Sequence, residues 1–229
     1  MIYTTPTKNF FGISLFGDFN DLERLHKVIH HCADGYSENS SARKHLHDFA
    51  YEIRHAKQGD RERKILEVNP GDKNTYYGVS FPLPYYILSI NLMQNSFATD
   101  RRLYQTATIW DLVSDLQETA IGTGSLEFAQ CVDYWIFNTL LNQPRIIPGE
   151  NLMSATRDKD HLTILADYAV YKFISIPAKK RLAQLGSVMN HIHPWTEDSK
   201  KAIQELTSKG KPPEEGDHLE FAMLDFKEW

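Results

Sequence analysis

Along the first 80 residues the hydrophobic positions switch between a two-residue period and a 3.6-residue period. Phe10 to Phe16 reads Phe-Phe-Gly-Ile-Ser-Leu-Phe, a strand composition closed by Gly17 and Asp18. Asn20 and Asp21 then offer cap chemistry for a helix running to about Ala33, with Leu22, Leu25, Val28, Ile29 and Cys32 in one narrow arc. Asp34-Gly35 stops it. A second helix is predicted from Ser40 or Ser41 to Gly59, burying Leu46, Phe49, Ala50 and Ile53. Lys64–Val68 and Thr75–Phe81 read as strands, and the Pro70-Gly71 turn between them predicts a hairpin.

From Pro84 onward the helical period takes over. Tyr85 to Phe97 forms one helix, and Leu103, Ala107, Trp110, Val113, Leu116 and Ala120 form the stripe of the next. Gly122 to Ser125 breaks that pattern before a helix burying Phe128, Val132, Trp135 and Leu140. His161–Asp167 starts as a helix, whereas Tyr168–Ile176 alternates as a strand. Ala178–Asn190 is helical, and Thr196-Glu-Asp opens a further helix with acids in its first turn. Gly210 to Gly216 reads as a solvated linker. The fold class this pattern predicts is α+β, a small antiparallel sheet with two inserted helices followed by a mainly helical C-terminal half. A single domain over residues 1–229 is expected, with an α+β part to about 82, a helical part to about 209 and a tail beyond.

Composition narrows the function classes. The chain has 229 residues, 41% of them hydrophobic and 24% charged, which is enough to build a core without staples. A net charge of -5 with dispersed Lys and Arg speaks against nucleic acid as a partner. Two cysteines, Cys32 and Cys131, sit inside apolar helical patterns and supply neither a disulfide framework nor a thiolate zinc pair. The start of the chain lacks the pattern of a signal peptide, and the apolar stretch from Leu83 to Met93 is interrupted by Pro84, Ser89 and Asn91. A cytoplasmic protein with no membrane association is the expectation.

Histidine is the most unusual feature, with five of the ten falling between residues 26 and 47. His26 and His30 are four apart on the first helix, the spacing that lets two imidazoles reach one metal ion. On the second helix His45 or His47 could add a ligand, with Asp48 or Glu52 as carboxylate. Solvated imidazoles on a polar helix face explain the same letters. His191 and His193 could chelate from an extended segment, but their place after a helical stretch favours helix termination. Glu62-Arg63-Lys64 imitates half of a metal-dependent nuclease site; an edge strand charged against stray pairing accounts for it equally. Tyr76, Tyr77, Phe81, Tyr85 and Tyr86 fall within eleven residues and are read mainly as core and sheet-face packing. No Gly-x-Ser-x-Gly elbow or glycine-rich phosphate loop is present, so no catalytic or cofactor-binding residue is assigned.

The run from Thr4 to Leu22, together with Tyr76-Tyr-Gly-Val79 and Lys179-Lys-Arg-Leu182, resembles an uncharacterised family of small bacterial proteins of unknown function. The resemblance implies a bacterial cytoplasmic origin and brings no activity and no site residue. Two readings from different classes follow. The favoured one is a non-catalytic protein-interaction or regulatory module, self-associating or bound to another protein, with no cofactor. The alternative is a metal-dependent hydrolase holding zinc or another divalent ion on His26 and His30.

Overall fold

A computed structural model describes residues 2–69, 71–97, 103–122, 125, 126, 128, 162–192 and 201. Two antiparallel hairpins frame a helical pair in its first part. Strand β1 (Tyr3–Pro6) pairs with β2 (Gly12–Gly17), and β3 (Glu62–Asn69) pairs with β4 (Asp72–Pro82). The hairpins join through β2 and β4, also antiparallel, to give the strand order β1-β2-β4-β3. Helices α1 (Phe19–Asp34) and α2 (Ser41–Gln58) are inserted between the hairpins. The fold is therefore α+β, as the periodicity predicted.

Local chemistry sets the helix ends. The cap of α1 is Asp18, not the Asn20–Asp21 pair expected from sequence. Asp18 Oδ1 accepts from the Asp21 amide at 2.9 Å, and Asp21 Oδ2 accepts from the Asp18 amide at 3.3 Å. This reciprocal box satisfies two amides that a bare helix start would leave open. Ser40 caps α2 through Arg43, and Gly59 ends it at φ 84°, a left-handed conformation that suits glycine.

Strand β2 is buried along its whole length, because both faces of the sheet are covered there. Ile13 and Leu15 turn with Val79 and Phe81 toward the main core, where α1, α2 and α3 (Leu83–Phe97) pack. On the other face Phe16 is covered by Tyr3, stacked at 5.3 Å, and by the Lys64 ammonium 3.7 Å over its ring. Gly78 stands opposite Phe16 in the β2–β4 register and leaves room for that ring. Helix α3 is buried nearly all round, from Leu83 through Met93, and forms the axis of the core. Helix α4 (Leu103–Gly122) packs on β1, with Thr4 and Thr119 sharing a 2.8 Å hydroxyl contact, while α5 (Leu162–Ser175) and α6 (Arg181–Asn190) pack on α3.

Three expectations need correction. Strand β1 was not foreseen; its Pro6 is tolerable because β1 is an edge strand. Tyr168–Ser175 belongs to helix α5 and is not a strand, and Ile176 follows its end. Its buried positions Leu165, Ala166, Ala169, Val170 and Phe173 repeat every three or four residues against α3 and override the β-branched and aromatic composition. The packed side of α4 carries Thr108 and Leu112, whereas Ala107 and Trp110 of the predicted stripe are exposed. Thr119 meets Thr4 of β1 through its hydroxyl, a contact that an apolar pattern does not register. The helix expected from Phe128 to Leu140, Cys131, His193, the helix opening at Thr196 and the linker from Gly210 lie outside the described residues, except for Phe128 itself.

Candidate functional site

Helices α1 and α2 run antiparallel, so the start of one meets the end of the other. Lys57, near the end of α2, pairs with Glu23 in the first turns of α1, and Glu23 also takes Lys27 Nζ at 3.1 Å. At the opposite end Arg43 Nη2 meets Asp34 Oδ1 at 2.9 Å. Between these two ion pairs lies a row of imidazoles. His26 Nε2 and His30 Nε2 are 3.3 Å apart, with their rings edge to face at 4.5 Å between centroids. His47 of α2 continues the row, its ring centroid 5.1 Å from that of His30.

The row follows from the helix surfaces. Leu22, Leu25, Val28, Ile29, Cys32 and Ala33 bury one side of α1, and His26 and His30 sit one turn apart on its flank beside α2. Both are half-buried. Burial is the main cause that lowers their basicity; His30 lowers that of His26 further, and His47 that of His30. One nitrogen of the His26–His30 contact must carry the proton and the other must accept it. Glu23 is held well below the usual carboxylate range by its two lysines. Glu23, His26, His30, His31, Asp34 and Lys57 line one open groove of about 490 Å³.

Two other ligands considered from sequence, His45 and Glu52, do not join this row, and His47, which does, is engaged by Arg43. His45 is 1% exposed and turned into the core, where its Nε2 meets Ser89 Oγ at 3.0 Å. Glu52 is committed to Arg61, with Arg61 Nε at 2.9 Å from Oε2 and Nη2 at 3.2 Å from Oε1. His47 Nε2 accepts from Arg43 Nε at 3.3 Å. Among the described residues no group of three or more His, Cys, Asp or Glu side chains is arranged to hold a metal ion. The inward orientation of His45 was readable, since it falls on the α2 stripe four residues before Phe49. The approach of His47 to His30 depends on helix packing and was not.

The remaining sequence features resolve structurally. Glu62 accepts from Ser80 Oγ at 2.7 Å, Arg63 lies 5.6 Å over the Tyr77 ring and Lys64 covers Phe16, so this triplet furnishes the edge strand. His191 caps α6, its Nδ1 2.9 Å from the Ser187 carbonyl, in keeping with helix termination. Phe81, Tyr85 and Tyr86 are core. Cys32 is buried, and its thiol is pushed up to about 12.

A second surface is the outer edge of β3. The β2–β4 ladder ends at Gly17↔Tyr77, whereas β3 pairs with β4 from Glu62↔Gly78 to Asn69↔Asp72. Beyond Tyr77 the hairpin is therefore a two-stranded arm, and among the described residues nothing pairs with the far side of β3. Every residue from Glu62 to Glu67 is exposed, Ile65 at 70% and Leu66 at 38%.

Fold and surfaces together define an α+β protein with an exposed sheet edge that no described residue pairs, and a partly buried histidine row on its inserted helical pair. The chain belongs to the family DUF6904, a domain of unknown function whose family model matches residues 2–229. Comparison with curated proteins and with solved structures finds no match. No helix among the described residues is long and apolar enough to cross a membrane.

Proposed function

We propose that this protein is a self-associating interaction module in which β3 of one copy pairs antiparallel with β3 of a second. The supporting observation is the exposed outer edge of a two-stranded arm, which no described residue pairs. Such a ribbon is only marginally stable in water by itself, and a partner strand would satisfy the amides and carbonyls along its edge. Two-fold symmetry requires the pairing to be centred on one residue, which then faces its own copy.

The sequence of β3 discriminates among the possible centres. Centring on Arg63, Lys64 or Glu67 opposes like charges, and centring on Leu66 forms no ion pair, with Ile65 against Glu67 and Lys64 against Val68. Centring on Ile65 places Ile65 against Ile65 of the second copy and Arg63 against its Glu67, twice by symmetry. Within each hairpin Glu67 already faces Lys73 and Arg63 faces Tyr77, so the charge row continues across the junction without a clash. Charges on an edge strand ordinarily discourage pairing; in this register they are complementary. The ladder is short, so the dimer is weak, with dissociation on the order of micromolar or above.

Sedimentation velocity over a concentration series tests the reading. Wild type dimerises with rising concentration and Ile65→Lys stays monomeric. Arg63→Glu weakens the dimer, and the exchange Arg63→Glu/Glu67→Arg restores it. A monomer up to about 1 mM, an order-of-magnitude ceiling for a specific contact, refutes the proposal. So does a dimer indifferent to Ile65→Lys.

A further inference from the structure

We propose that His26 and His30 form a two-histidine chelate for a borderline divalent transition ion of the zinc, nickel or copper class. This stands on α1 and is independent of the β3 edge. Two Zn–N bonds of about 2.05 Å at the tetrahedral angle hold their nitrogens about 3.3 Å apart. The two Nε2 atoms are 3.3 Å apart. A small rotation of the two rings points both lone pairs at one ion, and the His that now donates through Nε2 shifts its proton to Nδ1. The ion takes the place of the shared proton.

The surroundings suit a bound cation better than their formal charges imply. Lys57 and Lys27 are engaged by Glu23, and Arg43 by Asp34, which offsets these three cations, while Arg54, stacked over Tyr51, still acts on both rings. The groove is open, which leaves room for water at the other coordination positions. His47 stays outside the ligand set because its Nε2 accepts from Arg43; it packs beside His30 and limits that ring's rotation. Imidazole pairs favour zinc, nickel and copper over magnesium or calcium, with copper the tightest of the series.

Isothermal titration of zinc into the untagged full-length protein, in a non-coordinating buffer, decides the matter. His26→Ala and His30→Ala each lower the affinity about tenfold or more, the loss of one arm of a chelate, whereas His47→Ala keeps it within about twofold. Alanine at these half-buried helix positions preserves folding, which equal thermal melts without zinc verify. Imidazole nitrogen resonances give a second readout: zinc shifts two histidines in wild type and neither in the double variant. Zinc affinity unchanged in either single variant overturns the proposal. Wild-type binding no tighter than that of one free imidazole overturns it equally.

Discussion

Lowering the pH from 7 to 5 removes about 2 kcal/mol of folding stability through His45 alone. The magnitude follows from its surroundings. His45 is 1% exposed, and its ring lies 4.2 Å from that of Tyr85. Ser89 donates its hydroxyl proton to the Tyr85 carbonyl at 2.9 Å, so its oxygen is free to accept the His45 Nε2 proton at 3.0 Å. The imidazole is thus held neutral, and burial pushes its pKa down to about 3. An unfolded histidine titrates near 6.5, so on acidification the unfolded chain takes up the proton first. The stability tied to this group is fully present above about pH 6.5 and is lost as the pH falls toward 3. Inside that window the slope is about 1.4 kcal/mol per pH unit. Urea unfolding of wild type and His45→Gln at pH 7, 6 and 5 measures it. Glutamine keeps an N–H donor for Ser89 but cannot titrate. It costs about 1–2 kcal/mol at pH 7 through lost ring packing, yet loses about 2 kcal/mol less than wild type on going to pH 5. His26 and His30, also lowered, contribute the same background to both proteins. Parallel stability curves for the two proteins would refute the reasoning.

Three further outcomes concern the sheet and its caps. Gly12→Ala sets a Cβ on the Phe81 carbonyl oxygen of the neighbouring strand, which cannot move without breaking the β2–β4 ladder. A loss of about 3 kcal/mol in chemical denaturation is expected, and one below about 1 kcal/mol contradicts it. Ser80→Ala removes the hydroxyl that donates to Glu62 at 2.7 Å and contacts Ser14 at 2.6 Å, costing about 1–2 kcal/mol in the same assay. Asp18→Ala opens the α1 capping box and costs about 1 kcal/mol, with the early amides of α1 losing hydrogen-exchange protection first.

How much of this was legible depends on the range over which each feature is encoded. The stop of α2 at Gly59 and the hairpin that joins β3 to β4 are local and were read in place. The cap of α1 was placed two residues late because Asn20 and Asp21 carry the same chemistry as Asp18. Only the backbone geometry shows which side chain reaches which amide. Strand β1 was missed because Pro6 and the threonines around it carry no alternation. An edge position relaxes both requirements. For the histidines, spacing alone brought His26 and His30 together, whereas His45 was read as a possible ligand although its place four residues before Phe49 puts it on the buried stripe of α2.

The sequence by itself determined the alternation of elements, the α+β class and the one imidazole pair a single helix can form, because each rests on residues within a few turns of one another. Tertiary structure alone decided the rest: that His47 meets His30, that Glu52 belongs to Arg61, and that β3, an edge strand, carries an exposed row from Glu62 to Glu67. Those facts depend on strand order and on the antiparallel packing of α1 against α2. Packing is fixed by burying many apolar side chains at once, and no local stretch of sequence contains it.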